Sequence, residues 1–161
     1  MQRRSHGFTL MELVLVILII GILAAYAAPN WLGTGGTEIR TTSDEVVGRL
    51  RLLQTINMNE PPRRCTWLRV EPGQLGLLSG ACDSEPGPMA GWDETHRQGS
   101  MLALAATVTL EGKSTFSLRF DRDHGRPASA PCQAGCQLQV SSGGELRQIR
   151  IESEGYIHAQ P

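Results

Sequence analysis

The run that most constrains this chain lies near its start. From Phe8 to Ala28 (FTLMELVLVILIIGILAAYAA) it is apolar except for Glu12, and from Leu13 onward it carries no charge at all. At 1.5 Å per residue a helix needs about 20 such residues to cross a hydrocarbon core, so the run is just long enough. Met1 to Gly7 is short and basic. Arg3 and Arg4 should hold this end in the cytoplasm and send everything after Pro29 outward. A cleaved secretory signal has a foothold here, because Ala25-Tyr26-Ala27 fits the small-x-small cleavage pattern; a plain signal anchor would also serve. Glu12 argues against both. A charged side chain costs about 2.5 kcal/mol or more at the bilayer centre and less near the interface, and neither kind of segment has a use for that cost.

In order, the segment presents Gly7-Phe8-Thr9-Leu10-Met11-Glu12-Leu13, an unbroken apolar stretch, and Ala-Ala-Pro-Asn at its far end. This ordered set resembles the class III signal of type IV pilins and type II secretion pseudopilins. The resemblance implies cleavage between Gly7 and Phe8 by a prepilin peptidase, N-methylation of Phe8, and retention of the helix. It also implies an assembly role for Glu12. In a low-dielectric filament core its carboxylate would neutralise the α-amine of Phe8 on a neighbouring subunit, setting register more than adding net stability.

Beyond the run, Pro29 lacks an amide proton and crowds the carbonyl of Ala25, and Gly33-Thr34-Gly35-Gly36 follows, so the helix should be weakest between Pro29 and Gly36. A helical pattern resumes from Glu38 to Met58. Ile39, Val46, Leu50, Leu53 and Ile56 form an apolar stripe, Thr42-x-x-Glu45 has capping-box spacing, and Asn59-Glu60-Pro61-Pro62 is a stop. Strand patterns take over after Pro62. Thr66 to Val70 and Gln74 to Leu78 flank Glu71-Pro72-Gly73 and read as a hairpin. Ser79 to Ser100 reads as a long loop. Met101 to Leu110 and Thr115 to Phe120 read as a second hairpin across Glu111-Gly112-Lys113, the latter strand half-buried through Phe116, Leu118 and Phe120. Gln137 to Val140, Glu145 to Glu152 and Tyr156 to His158 supply further short strands. The expected fold class is α+β: a long N-terminal helix packed on a small antiparallel head. The expected divisions are a leader (1–7), a transmembrane and filament-core helix (8–28), an amphipathic helix (29–60) and a β-rich head (61–161).

The tail carries a second likeness. Phe120-Asp121-Arg122-Asp123-His124-Gly125-Arg126-Pro127, with a closing Arg150-Ile151-Glu152-x-x-Gly155-Tyr156-Ile157, resembles the heads of H-type pseudopilins and FimT-like minor pilins. The four cysteines and the Ser79 to Ser100 insertion depart from that pattern; together with Leu53-Gln54-x-x-Asn57-Met58-Asn59 before the first cysteine, they look somewhat like a minor pilin of the mannose-sensitive haemagglutinin pilus. Four cysteines allow three connectivities; Cys65 with Cys82 and Cys132 with Cys136 each close a local loop in an oxidising compartment. C-x₃-C with scattered His96, His124 and His158 is poor zinc spacing, so neither metal nor cofactor is expected. No triad can be read from scattered Ser, His and Asp, and no enzyme is expected. Formal charge is -1. Arg119, Arg122, Arg126, Arg147 and Arg150 interleave with acids as on a solvated mixed face, so nucleic acid is not an expected partner, although a DNA-binding minor pilin is an alternative reading.

The reading that follows is a structural minor pilin or minor pseudopilin that helps initiate or complete a filament. Its partners would be other pilins or pseudopilins, the prepilin peptidase, an inner-membrane assembly platform, and membrane lipid before assembly. It would sit single-pass in the bacterial inner membrane with a periplasmic head. A secreted binding protein with a cleaved signal peptide is the remaining alternative.

Overall fold

The computed structural model describes residues 9–31, 34–89 and 101–160, with side chains of 25–35 left undescribed. The chain forms two compact units, Met1–Thr34 and Gly35–Pro161. The first holds helix α1, Leu10–Trp31, 22 residues. It does not stop at Pro29, where the sequence predicts a kink or local melting, but runs on to Trp31. A proline removes one i to i−4 hydrogen bond, and here that loss falls in the last turn. Among the described residues no helix is long and apolar enough to cross a membrane.

The second unit opens inside helix α2, Thr34–Asn59, and holds it from Gly35 onward. Gly35 and Gly36 are helical, but α1 ends at Trp31 and α2 starts at Thr34, inside the window where the sequence places the weakest helix; residues 32 and 33, with Gly33 of that motif, lie outside the described residues. At Gly36 an added Cβ would lie 3.4 Å from a Glu145 carboxylate oxygen, so the small residue lets the 142–145 turn come close. Thr42 is buried inside α2 and starts no new helix. The apolar stripe is otherwise as expected, with Ile39, Val46, Leu50 and Leu53 at most 1% exposed, but Ile56 is only half-buried and Asn57 takes the buried place beside it.

Eight strands follow: β1 Cys65–Glu71, β2 Gln74–Gly80, β3 Met101–Ala103, β4 Thr107–Leu110, β5 Phe116–Leu118, β6 Cys136–Ser142, β7 Glu145–Ile151 and β8 Ile157–Gln160. They make two antiparallel four-stranded sheets, ordered β3-β2-β1-β5 and β4-β6-β7-β8. The first hairpin closes with Glu71 opposite Gln74 across Pro72-Gly73. That between β6 and β7 closes with Ser142 opposite Glu145; its two central residues, Gly143 and Gly144, have φ of 59° and 86°, the paired positive values of a type I′ turn. Of the expected loop after β2, residues 81–89 carry no helix or strand and the remainder lies outside the described residues.

The second predicted hairpin does not form. The Glu111-Gly112 turn is present, and Leu110 and Lys113 exchange backbone hydrogen bonds of 2.9 Å, but pairing stops there. β4 goes to the second sheet and β5 crosses to the first, beside Leu68–Val70 of β1. Burial explains the crossing. Phe116, Ser117 and Leu118 are 7%, 3% and 2% exposed, so both faces of β5 are covered, and the Ser117 hydroxyl meets Arg69 Nη1 at 2.9 Å. A half-exposed hairpin arm would have left part of that surface in water.

α2 joins the two sheets through a polar edge. Arg51, Gln54 and Asn57, three residues apart, lie along one side of the helix. Arg51 Nη2 donates to Ile157 O at 2.9 Å, and Gln54 Nε2 donates to Gly125 O and Gly155 O at 2.6 and 3.0 Å. Asn57, 5% exposed, donates to Thr66 O at 2.9 Å and to Glu60, and accepts from Phe120 N at 2.8 Å. Gly155 must be glycine: at φ +91° a Cβ would lie 2.2 Å from Gly125 O.

Two predictions follow from this packing. Asn57→Ala strands Thr66 O and Phe120 N in the core and should cost about 2–4 kcal/mol, whereas Asn59→Ala, which loses one exposed bond to Thr55 O, should cost about 0.5 kcal/mol or less. Urea unfolding of the detergent-solubilised chain compares the two. Glu71 supplies the second. Burial pushes its carboxyl up, but the Met89 N–H and the Arg69 and Gln74 side chains donate to it at 3.1–3.2 Å and hold it below its ordinary value. Its contribution is therefore present above its unfolded-state value and lost as pH falls through the lowered folded one. Glu71→Gln should destabilise by about 1 kcal/mol or less near neutral pH, a difference that closes on acidification below about pH 4.

Candidate functional site

The candidate site begins at the N-terminus of α1. Gly7 and Phe8 lie outside the described residues, and description starts at Thr9. Thr9 Oγ1 accepts the backbone N–H of Glu12 at 3.3 Å, and Thr9 O accepts the N–H groups of Glu12 and Leu13 at 3.1 and 3.2 Å. Thr9 thus caps the helix and Glu12 occupies its first turn, with the spacing of a capping box. The same spacing at Thr42-x-x-Glu45 starts no helix, whereas Thr9-x-x-Glu12 is where the cap forms. A first-turn carboxylate also meets the positive end of the helix dipole, worth roughly 0.3–1 kcal/mol.

Around this carboxylate α1 is apolar on every side. Leu10, Met11, Leu13, Ile17, Ile20 and Leu23 are 58–81% exposed, and they point in all directions around the axis. A helix with no polar face needs lipid or other apolar helices to cover it. Glu12 is the one charged side chain available to orient whatever does so.

In the head, the four sequence-marked cysteines are all bonded. Cys65, at the start of β1, is joined to Cys82, and Cys132, in a short 3₁₀ turn at Ala130–Cys132, is joined to Cys136 at the start of β6. None is left as a thiolate ligand. His124 donates its backbone N–H to Asp121 Oδ1 at 2.7 Å and serves the turn. The five arginines are not gathered into one surface. Arg147 and Arg150 sit at positions of opposite parity on β7 and so face opposite sides of the sheet. Arg150 pairs with Glu152 at 2.9 Å, and the Arg119 guanidinium lies 5.2 Å above the Trp67 ring.

The prokaryotic N-terminal methylation motif matches residues 2–28, which contain the capped helix start and its carboxylate. This chain carries the N-terminal methylation motif of type IV pilin-like proteins. Its α+β architecture, a long N-terminal helical region followed by antiparallel sheets, is pilin-like as well. Among curated proteins it is 52% identical over 33 residues to the type II secretion system core protein G of Dickeya chrysanthemi, covering 20% of this chain and 22% of that protein. It is 44% identical over 52 residues to the type IV major pilin protein PilA of Myxococcus xanthus, covering 32% and 22%. The core protein G of Vibrio cholerae is 50% identical over 32 residues, covering 20% and 22%. The chain thus matches only 22% of the length of each of these relatives. No solved structure matches it.

The two disulfides of this pilin-like head should differ in weight. Cys65–Cys82 closes a span of 17 residues and Cys132–Cys136 one of 4, so chain entropy assigns them about 3 and about 2 kcal/mol. Replacing each pair by alanine and measuring denaturant midpoints should show the larger loss for the first pair.

Proposed function

We propose that this protein is a minor pilin or minor pseudopilin, a structural subunit that helps initiate or complete a type IV pilus or a type II secretion pseudopilus. The observation that carries the reading is Glu12: one carboxylate in the capped first turn of a helix with no polar face, inside the matched methylation motif. The leader 1–7 is removed between Gly7 and Phe8 by a prepilin peptidase, and the new α-amine of Phe8 is methylated. That amine adds positive charge where the helix dipole is already positive, so it needs a carboxylate partner. Glu12 of a neighbouring subunit supplies one as the helices pack. At an effective dielectric near 20, opposite charges 4 Å apart attract by about 4 kcal/mol, most of it offset by desolvation. The pair therefore fixes register, and apolar packing supplies the cohesion.

Before assembly the run 8–28 spans the inner membrane, with the basic leader cytoplasmic and the head periplasmic. The assembly platform and partner pilins or pseudopilins then draw the helix from lipid into the filament. The minor role rests on the likeness of Phe120 to Pro127 and of Arg150 to Ile157 to the heads of H-type pseudopilins and FimT-like minor pilins.

Intact mass of membrane-extracted protein should show loss of Met1 to Gly7 and one added methyl group; a mature N-terminus at Ala28 or Pro29 would establish a secreted protein instead. In the same cells Glu12→Ala should insert and be processed normally, while its recovery in sheared filaments or with partner pilins falls about tenfold or more relative to its membrane level. Equal recovery of variant and wild type would mean that helix packing alone places the subunit.

A further inference from the structure

At the C-terminal end of α2 the head holds a cleft of about 290 Å³, walled by Glu60, Arg64, Arg119, Arg122, Asp123 and the Cys65–Cys82 disulfide. Its charges are unevenly engaged. Glu60, with a side chain 9% exposed, accepts from Thr66 N at 2.8 Å, Asn57 Nδ2 at 3.1 Å and the Thr66 hydroxyl. It is committed to holding the end of α2 against β1. Arg64 reaches it only at 4.0 Å and donates to Ser79 Oγ at 3.2 Å from a side chain 64% exposed.

The other two guanidinium groups have no carboxylate within 4 Å among the described residues. Arg119 is held in place by the Trp67 ring and by a 3.8 Å contact with Cys65 Sγ, a weak acceptor. Arg122 Nε is buried and has no hydrogen-bond partner among the described residues. A buried donor left unmatched carries a real desolvation cost, and a guanidinium presents several donors in a fixed fork suited to carboxylate or phosphate.

We propose that this cleft binds a single oxyanion group, a carboxylate or a phosphate, gripped by Arg119 and Arg122 with Arg64 at the rim. Arg119 is already positioned by its aromatic and sulfur contacts, so little side-chain freedom remains to be lost on binding. The volume lies at the small end of ligand pockets and suits one anionic group rather than a polymer. A nucleic-acid track would need the basic residues to continue as a stripe. Here Arg147 and Arg150 lie on another strand, facing opposite ways, and Arg150 is already paired. The anion has two chemical sources, a free small anion or an acidic side chain of a neighbouring protein.

Isothermal titration of the full detergent-solubilised chain with inorganic phosphate, citrate and a short acidic peptide tests this at low ionic strength. At least one probe should bind saturably, weaken with added sodium chloride, and lose about tenfold or more in affinity in Arg122→Gln and in Arg119→Gln. Arg150→Gln should bind like wild type. Arg122→Lys keeps the charge without the fork and should fall in between, which separates lost recognition from lost folding. Tighter binding of the peptide than of either small anion would assign the site to a protein carboxylate, and the reverse to a free anion; both uphold the proposal. Absence of saturable binding by all three probes, or binding that Arg122→Gln leaves unchanged, would overturn it. So would a duplex oligonucleotide that binds more tightly than any single anion and is weakened equally by Arg150→Gln.

Discussion

Everything in the head depends on how the end of α2 is bonded to the backbone of the sheets. Arg51, Gln54 and Asn57 donate to or accept from Thr66, Phe120, Gly125, Gly155 and Ile157. These positions come from three separate stretches of chain. Apolar packing of Ile39, Val46, Leu50 and Leu53 supplies the cohesion, but it is non-directional and would tolerate a helix slid or rotated by part of a turn. The amides would not. Each buried carbonyl or N–H they satisfy would be stranded by such a shift, and the loss of even one is comparable to a sizeable share of a small domain's net stability. The helix is therefore held in a single register on the sheets.

The N-terminal helix obeys the opposite logic. Its described surface is apolar all round, and among the described residues its polar features gather at the start, where Thr9 caps the first turn and Glu12 follows. A helix so built has no preferred rotation against an apolar surrounding. What it has is a marked end. Direction along the axis, rather than a chosen face, is the information that such a segment offers to lipid or to neighbouring helices.

The legibility of the sequence followed the range of the interactions. A turn made by adjacent residues was readable: Glu71-Pro72-Gly73 closes β1 on β2. The apolar stripe of α2 was readable because it repeats with the helix. The fate of β4 and β5 was not, since Glu111-Gly112 makes a competent local turn and only the burial available beside β1 draws Phe116–Leu118 away. Ser117 looked outward by alternation, yet Arg69 on β1 covers it. Gln54 and Asn57 sit among polar positions with nothing local to show that they face the buried backbone of Gly125, Gly155 and Phe120, which lie 63 to 101 residues away. The Thr9 cap is local and legible, since Glu12, the charge in the apolar run, stands three residues after a threonine.

The crossing of β4 and β5 between sheets also governs the order of events when the chain folds. The first sheet takes its strands from before and after β4, and the second waits for β8, which ends at Gln160. Neither sheet can be completed from a contiguous stretch, and α2, near the beginning, is fastened to Ile157, near the end. Contacts of such long sequence separation form slowly and together. Until β8 pairs with β7 this head stays open, and it then closes as one unit.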